Sequence, residues 1–461
     1  MTRQDVLDKL YERYIAPVKN KKERFVGIEI EMPIVNLNGK MVDFDIVHSL
    51  TSEFLNHFGF KAIGIDEKGN IYSAEKRENG DIFSYDCSYN NLELSFGKEK
   101  SIAVVYERFK EYYTFIEEYF KRYNYTLTGM GINPNRNVNK NVPIEIGRYK
   151  MLYNHLSSFV KYSDIPMYFH DHPNFGMFSS ASQVQIDVSF DKLPKVINTF
   201  NKLEPIKALL FNNSVLLGEN EQLLCCRDML WENSTHGINP HNVGMYESEI
   251  NTIEDILNYI STESIYCVER DGKYINFQPV NIIDYFSLDK ISGEYIENGR
   301  KIPIDFSPEP EDLNYLRSFK LEDLTFRGTI EFRSGCCQPI CDSMTIAAFH
   351  AGLMEQIDEL ETLISNDTVL YGHGYNAKEL RNFFTTSEIP SSINEDKLYD
   401  LAKEIVDICR KGLLKRGFGE EKFISTLYNR ISNRTNPAKY MLSQLKNGKN
   451  IYDIVCQYAN I

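Results

Sequence analysis

Four short runs of this chain alternate apolar and polar residues with period two, the spacing that gives a β-strand two unlike faces. In "FVGIEIEMPIV", Gly27, Glu29 and Glu31 oppose Val26, Ile28, Ile30 and Met32. In "NNLELSFG", Asn91, Glu93 and Ser95 oppose Leu92, Leu94 and Phe96. In "SQVQIDVSF", Gln183, Gln185, Asp187 and Ser189 oppose Val184, Ile186, Val188 and Phe190. The run "FRGTIEFRSG", Phe326 to Gly335, reads as a strand with Arg327, Thr329, Glu331 and Arg333 on one side and Phe326, Gly328, Ile330 and Phe332 on the other. Any antiparallel strand with one wet face shows such alternation, so the pattern alone does not separate a solvated face from a ligand site.

Residue choice on the polar side separates them. Solvated strands favour threonine, lysine and mixed charge, whereas Glu29 and Glu31 stand ~6–7 Å apart with no cation beside them. Such a pair asks for a cation, and hard divalent ions such as Mg²⁺ take carboxylate oxygens and bridge to substrate phosphates. Arg327 and Arg333 carry guanidinium forks shaped for phosphoryl oxygens. Carboxylates for metal and arginines for phosphate, on several strands of one sheet, point to metal-assisted phosphoryl chemistry.

Around these runs the chain mixes strands and helices. A helix at about 4–17 precedes the first strand at 25–35, further alternating runs lie near 57–65 and 82–96, and 101–123 has helical spacing with Ser101 as its cap. A strand is expected over about 180–190 and a helix over 191–218. Residues 237–320, rich in Asn, Ser, Pro and Gly, have the composition of a substrate-covering insertion. After a strand at 325–333, "CDSMTIAAFHAGLMEQIDELETLI" reads as one long helix, and from about 395 onward the pattern is helical. Asn436 and Pro437 mark a late helix start as cap and first residue. This order gives an α+β fold rather than regular βαβ alternation, with 1–394 as the sheet domain and 395–461 as a helical region packed on it.

Composition narrows the function classes. With 51 Lys and Arg against 65 Asp and Glu the formal charge is −14, a balance that argues against nucleic-acid or anionic-membrane binding. No stretch reaches the ~20 apolar residues of a membrane helix, and the charged start, "MTRQDVLDKLYERYIAPV", reads as an amphipathic helix rather than a signal peptide. The nine cysteines, without a CxxC pair, are the free thiols expected of a cytoplasmic protein. "GMGINPN" lacks the third glycine of a dinucleotide site and no GxxxxGK[ST] loop is present, so any ATP is bound outside the P-loop design. His170 with His172, the cysteines of "SGCCQPIC", and Trp231 read first as structural residues.

In chain order the motifs resemble the glutamate–cysteine ligases of plant and bacterial type, within the glutamine-synthetase-like carboxylate–amine ligases. "GIEIEMP" resembles the family's G-x-E-x-E strand, "NNLELSFG" its F/L-E-L-S segment, and "GMGINPNRNVNKNVPIEIGRYKML" its G-x-G-F-x-P stretch followed by G-R-Y-x-x-M. "SASQVQIDVSF" is similar to T-V-Q-V-N-L-D-F, "CRDMLW" to R-x-x-x-W, "TIEFRSG" to the E-x-R of the last catalytic strand, and the tail "LAKEIVDICRKGLLKRGFGEEKFISTL" with "RTNPAKYML" to the family's ending. The matches run from about residue 25 to 445.

The resemblance implies a six-stranded, mainly antiparallel sheet curved into a funnel, with ATP and Mg²⁺ at its mouth. It implies metal ligation by Glu29, Glu31, Glu93 and Glu331, with Glu31 and Arg333 catalytic and Arg333 on the transferred phosphoryl group. Gln185 would lie near the metal–phosphate cluster, Arg227 and Trp231 around glutamate, and Arg327 on substrate. The implied reaction joins the γ-carboxylate of glutamate to the amine of cysteine through a γ-glutamyl phosphate, a step of glutathione biosynthesis carried out by a monomer or homodimer with no nucleic-acid or membrane partner. Two departures stand out: His236 occupies the place of an expected arginine after Trp231, in a shortened loop, and "SYDCSYNN" replaces an E-P-G-G turn, with Asp86 near the missing glutamate. A ligase for another amine, a metal-dependent phosphoesterase and a nucleotide binder without turnover are the competing readings.

Overall fold

A computed structural model describes residues 1–19, 21 and 23–461. The strands are β1 (Val26–Asn36), β2 (Lys61–Ile65), β3 (Ile71–Lys76), β4 (Asp81–Tyr85), β5 (Asn91–Glu99), β6 (Tyr125–Leu127), β7 (Ser182–Asp187), β8 (Val243–Gly244), β9 (Ser264–Arg270), β10 (Lys273–Asn281), β11 (Ile291–Glu297), β12 (Arg300–Phe306), β13 (Phe319–Lys320), β14 (Glu322–Leu324) and β15 (Thr329–Phe332). Among the described residues, nine of them form one sheet in the order β14-β15-β7-β1-β5-β4-β3-β2, with β6 paired to the end of β1. Every pairing in that sheet is antiparallel. The expected class is therefore the observed one, on nine strands rather than six. The surplus comes partly from three-residue strands such as β6 and β14, too short to show a period in sequence.

Register decides what the four alternating runs do together. Glu331 lies opposite Gln185, Gln183 opposite Glu29, Glu29 opposite Ser95, and Glu31 opposite Glu93. One face of the sheet is thus a polar ladder running across β15, β7, β1 and β5. The other face, with Ile28, Ile30, Val184, Ile186, Leu92, Leu94, Ile330 and Phe332, is fully buried in the main core. Helices Ile102–Lys121, Leu193–Phe211 and Thr345–Glu355 contribute to that core.

Four expectations are corrected. The 57–65 run holds the end of helix Phe44–Phe58, whose N-cap Asp43 accepts from Asp45 N at 3.0 Å; Gly59, at φ +74°, ends it, and the strand starts only at Lys61. The long helix expected after Cys341 breaks at Gln356 into Thr345–Glu355 and Ile357–Ser365. The strand expected from Phe326 starts at Thr329, because Phe326–Gly328 turn between β14 and β15 with Gly328 at φ +71°, a left-handed conformation open to glycine. Arg327 therefore leaves the strand and sits exposed in the turn. Ser101 takes the N-cap position of Ile102–Lys121, but its side chain makes no capping hydrogen bond; the Glu420 carboxylate accepts from the Ile102 N–H at 2.7 Å instead.

Residues 237–320 hold a second, four-stranded sheet in the order β12-β11-β10-β9 beside helix Ile253–Ser261. The helix Glu395–Arg416 crosses Thr345–Glu355 at a glycine notch. A Cβ on Gly412 would stand 1.9 Å from the Gly352 carbonyl oxygen, so Gly412→Ala must push the helices apart. It is expected to cost about 1–3 kcal/mol, read as a lower urea midpoint at unchanged m-value. Asn436 caps Pro437–Lys446 as expected, accepting from Lys439 N at 3.0 Å. Among the described residues no helix is long and apolar enough to cross a membrane.

Candidate active site

The polar ladder forms one wall of a cavity of about 760 Å³, within the size range of small-molecule sites. Glu29, Glu31, Glu93, Gln183, Gln185, Glu331 and Arg333 line it from the sheet. Arg148 and Tyr149 enter from helix Gly147–Ser157, and Arg227 and Trp231 from helix Cys226–Glu232. Glu263, Tyr266, Arg317 and Phe319 close it from the 237–320 side.

The sheet residues hold one another in place. Gln183 Nε2 donates to Glu31 Oε1 at 2.6 Å and Ala181 N to Glu31 Oε2 at 2.7 Å. Gln185 Nε2 bridges two strands, donating to Glu331 Oε1 at 2.9 Å and Glu29 Oε1 at 3.4 Å. Arg333 Nη1 pairs with Glu331 Oε2 at 2.6 Å, and the Ser95 hydroxyl donates to Glu93. Asp187, expected on the same face, turns instead to Lys21 and the Phe25 N–H.

So many acids on one wall carry an electrostatic cost. Removal from bulk water, and then the Glu93 charge, raise Glu31 to about 7; burial and then Asp86 raise Glu93 to about 7. Glu29 is pushed well above the carboxylate range by burial and then by Glu93 and Glu331. Like charges directly opposite in a sheet, as Glu31 and Glu93 are, destabilise it. Among the described residues no three His, Cys, Asp or Glu side chains stand close enough to bind an ion as they are; amides take the oxygens of Glu31, and Gln185 and Arg333 those of Glu331. The donor set is nonetheless all oxygen and strongly anionic, the chemistry a hard divalent cation takes.

This arrangement fixes a pH dependence. A carboxyl whose folded pKa is raised stabilises the fold fully below its unfolded pKa and loses that contribution as pH rises through the folded value. Without divalent ions the melting temperature is expected to fall between pH 5 and 8, with a loss on the order of 3 kcal/mol from Glu31 alone. Mg²⁺, by favouring the ionised forms, is expected to raise the pH 8 value more than the pH 5 value. Calorimetry with and without Mg²⁺ checks both, and Glu31→Gln should flatten the slope.

Trp231 stacks on Phe319 with ring centroids 4.3 Å apart and meets Phe175 edge-on at 4.7 Å. Arg227 is buried, donating from Nη1 to the Gly335 carbonyl at 3.2 Å. Its neighbour Asp228 is held by Arg381, Nε to Oδ2 at 2.6 Å and Nη2 to Oδ1 at 3.1 Å. Arg381 Nη1 also reaches Glu204 Oε2 at 2.7 Å, and Glu204 accepts from Ser334, next to Arg333. Arg327 is at the cavity rim, exposed in its turn.

Asp86 lies in the cavity and is raised to about 7 by burial and then by Glu31. His236 is buried and neutral, its pKa driven well down by burial, and its ring packs at a tilt against Phe319 with centroids 4.1 Å apart. His170 Nε2 meets the Leu230 carbonyl at 2.8 Å, and His172 Nε2 lies 3.1 Å from Glu219. Arg148 and Tyr149 were missed, although they lie in "GRYKML". Glu263 and Arg317 were missed because they sit in irregular segments with no period to read.

No protein-family model matches the chain. It is similar to the chloroplastic glutamate–cysteine ligase of Nicotiana tabacum, 23% identical over 334 residues, covering 70% of this chain and 58% of that protein. The same enzyme of Solanum lycopersicum is 23% identical over 331 residues, covering 70% of this chain and 57% of the relative. The chain thus spans less than three fifths of the length of these curated relatives. A solved glutamate–cysteine ligase from Francisella tularensis, in complex with AMP, matches in fold with a TM-score of 0.50 at 12% identity, covering 95% of this chain and 89% of the other. The resemblance read from the motifs is borne out by these relatives, and the α+β fold by the bacterial structure.

Proposed function

We propose that this protein is an ATP- and Mg²⁺-dependent carboxylate–amine ligase that joins the γ-carboxylate of glutamate to the amine of cysteine. The observation that carries the reading is the convergence of Glu29, Glu31, Glu93, Glu331 and Arg333 from separate strands in one ligand-sized cavity. Similarity to the plant ligases supports the choice of substrates. The segment 237–320 covers the cavity in this reading, and 395–461 is the helical support behind the sheet.

In the proposed reaction the glutamate γ-carboxylate attacks the γ-phosphate of ATP, and the amine then displaces phosphate from the acyl phosphate. Two anions must meet, so charge neutralisation dominates catalysis. Divalent ions held by Glu29, Glu31, Glu93 and Glu331 would supply part of it. Arg333 supplies a guanidinium fork for the transferred phosphoryl group, Glu331 orients that arginine, and Gln185 fixes the spacing of Glu29 and Glu331. Arg227 and Trp231 offer a buried cation and an aromatic face to the amino acid. No enzyme nucleophile is needed.

A panel assay tests this: ADP release with glutamate, ATP, Mg²⁺ and each amino acid or amine in turn. Release that requires glutamate and is fastest with cysteine is expected; no ADP with any acid and amine would overturn the reading. A ligase for a different amine is the second reading, favoured by His236, an uncharged ring where the family pattern carries an arginine. In that case the same panel peaks at another acceptor.

A further inference from the structure

Arg148 and Arg317 both line the cavity, and neither guanidinium makes an ion pair or a hydrogen bond among the described residues. Arg333 and Arg227, in contrast, are held by Glu331 and by the Gly335 carbonyl. In a chain of net charge −14, two arginines without an acid call for a reason. Asp86 is the carboxyl whose charge reaches Arg148, and it stands beyond ion-pair distance. Both guanidinium charges lie close enough to Tyr266 and Cys267 to oppose the upward push that burial gives those two groups. Two cations thus share one neighbourhood, and an anion between them relieves their repulsion.

The local backbone adds donors. Helix Gly147–Ser157 starts without a capping side chain: its N-cap is Ile146, and its first turn holds no acid. The first N–H of this helix to find a protein acceptor is that of Lys150, on the Ile146 carbonyl at 3.1 Å. Those of Gly147, Arg148 and Tyr149 have none among the described residues, and a helix N-terminus favours an anion. A Cβ on Gly147 would stand 2.9 Å from the Tyr274 ring, so this end is seated closely against β10. Arg317 enters from the segment before β13, where its carbonyl accepts from Asn242 Nδ2 at 3.3 Å.

The neighbours set the kind of anion. Tyr266 and Leu156, 3% and 4% exposed, and Leu152 give this part of the cavity an apolar floor. A triphosphate is matched instead by the acids and Arg333 on the sheet. A single carboxylate on a small organic body fits here, its two oxygens on planar guanidinium forks and its carbon atoms on the leucines.

We infer that Arg148 and Arg317 bind the carboxylate of the amine acceptor, so that the enzyme takes α-amino acids and rejects amines that lack the carboxyl group. This rests on the ligase reading and holds for cysteine and for any other acceptor. Held by a group remote from the reacting nitrogen, the acceptor is oriented before the chemistry.

The test compares acceptors that differ by one carboxylate: cysteine with cysteamine, serine with ethanolamine, and any better acceptor with its decarboxylated form. Each is supplied with glutamate, ATP and Mg²⁺. The amino acid of a pair is expected to exceed its amine by about 10²-fold in kcat/KM for ADP release. Arg317→Met and, independently, Arg148→Met should raise the KM for the amino acid by about 10- to 10²-fold. They should leave the KM for glutamate and for ATP unchanged and bring the ratio within each pair toward one. Each variant removes a cation from a like-charged pair, so its melting temperature without substrate should stay level or rise. A marked fall in both would make these structural arginines and overturn the proposal. Equal use of both members of a pair by the wild type overturns it too, as does a KM that rises for glutamate or ATP while the pair ratio holds. Titration calorimetry with cysteine and with cysteamine, in Mg²⁺ and a non-hydrolysable ATP analogue, reads the site without turnover. Binding of cysteine alone, lost in Arg317→Met, is expected; matching heats from the two, or none from either, overturn the site. A protein that binds cysteine in this way but releases no ADP with any acid and amine contradicts the ligase reading alone.

Discussion

Arg333→Ala is expected to lower kcat for ADP release by about 10²- to 10⁴-fold, with little change in the KM for the amine. Arg333 is the guanidinium on the acidic wall, paired with Glu331 at 2.6 Å just beyond the end of β15. Its loss removes the fork for the transferred phosphoryl group and leaves Glu331 facing Glu29 with one fewer compensating charge. Arg333→Lys should recover only part of the rate, because an ammonium offers a point charge in place of two parallel donors. Circular dichroism is expected to match the wild type, since the apolar face of β15 is untouched. An alanine variant with near-normal turnover would remove Arg333 from the mechanism.

The largest effect on stability is expected at Arg381, which no sequence pattern marks as special. Arg381 is 2% exposed and serves three carboxylate oxygens, two on Asp228 and one on Glu204. Glu204 itself is fully buried and also bonded to Lys207 and Ser334. Arg381→Met fills most of the volume but strands acids in the interior, and breaking a buried pair in this way costs about 3–5 kcal/mol. Chemical denaturation should show that loss, with Arg381→Lys intermediate because lysine cannot span both acids with a planar fork. The network joins the segments of Arg227 and Arg333, so the variant's remaining folded fraction should also show a raised KM for glutamate. A loss under 1 kcal/mol would mean the acids find other partners.

Period-two alternation made the strands carrying the site legible, because each needs one apolar face for the core and one polar face for the cavity. Glu29, Glu31, Glu93, Gln185 and Glu331 were therefore readable as one surface, and register then set which residues face each other. Arg327 was misplaced because alternation continues formally through a turn, while Gly328 bends the backbone out of it. The opposite wall was hidden for another reason. Arg148 sits on a helix, and Glu263, Arg317 and Phe319 come from loops and short strands whose convergence depends on tertiary packing. The Arg381 network likewise joins residues more than a hundred positions apart.

The most direct measurement is a crystal structure grown with Mn²⁺ and a non-hydrolysable ATP analogue, with anomalous maps locating the metal. Density within coordination distance of oxygens from Glu29, Glu31, Glu93 and Glu331, bridging to the triphosphate, and Arg333 on its terminal phosphate, is the expected result. Metal and nucleotide bound elsewhere, with the acidic wall empty, would contradict it.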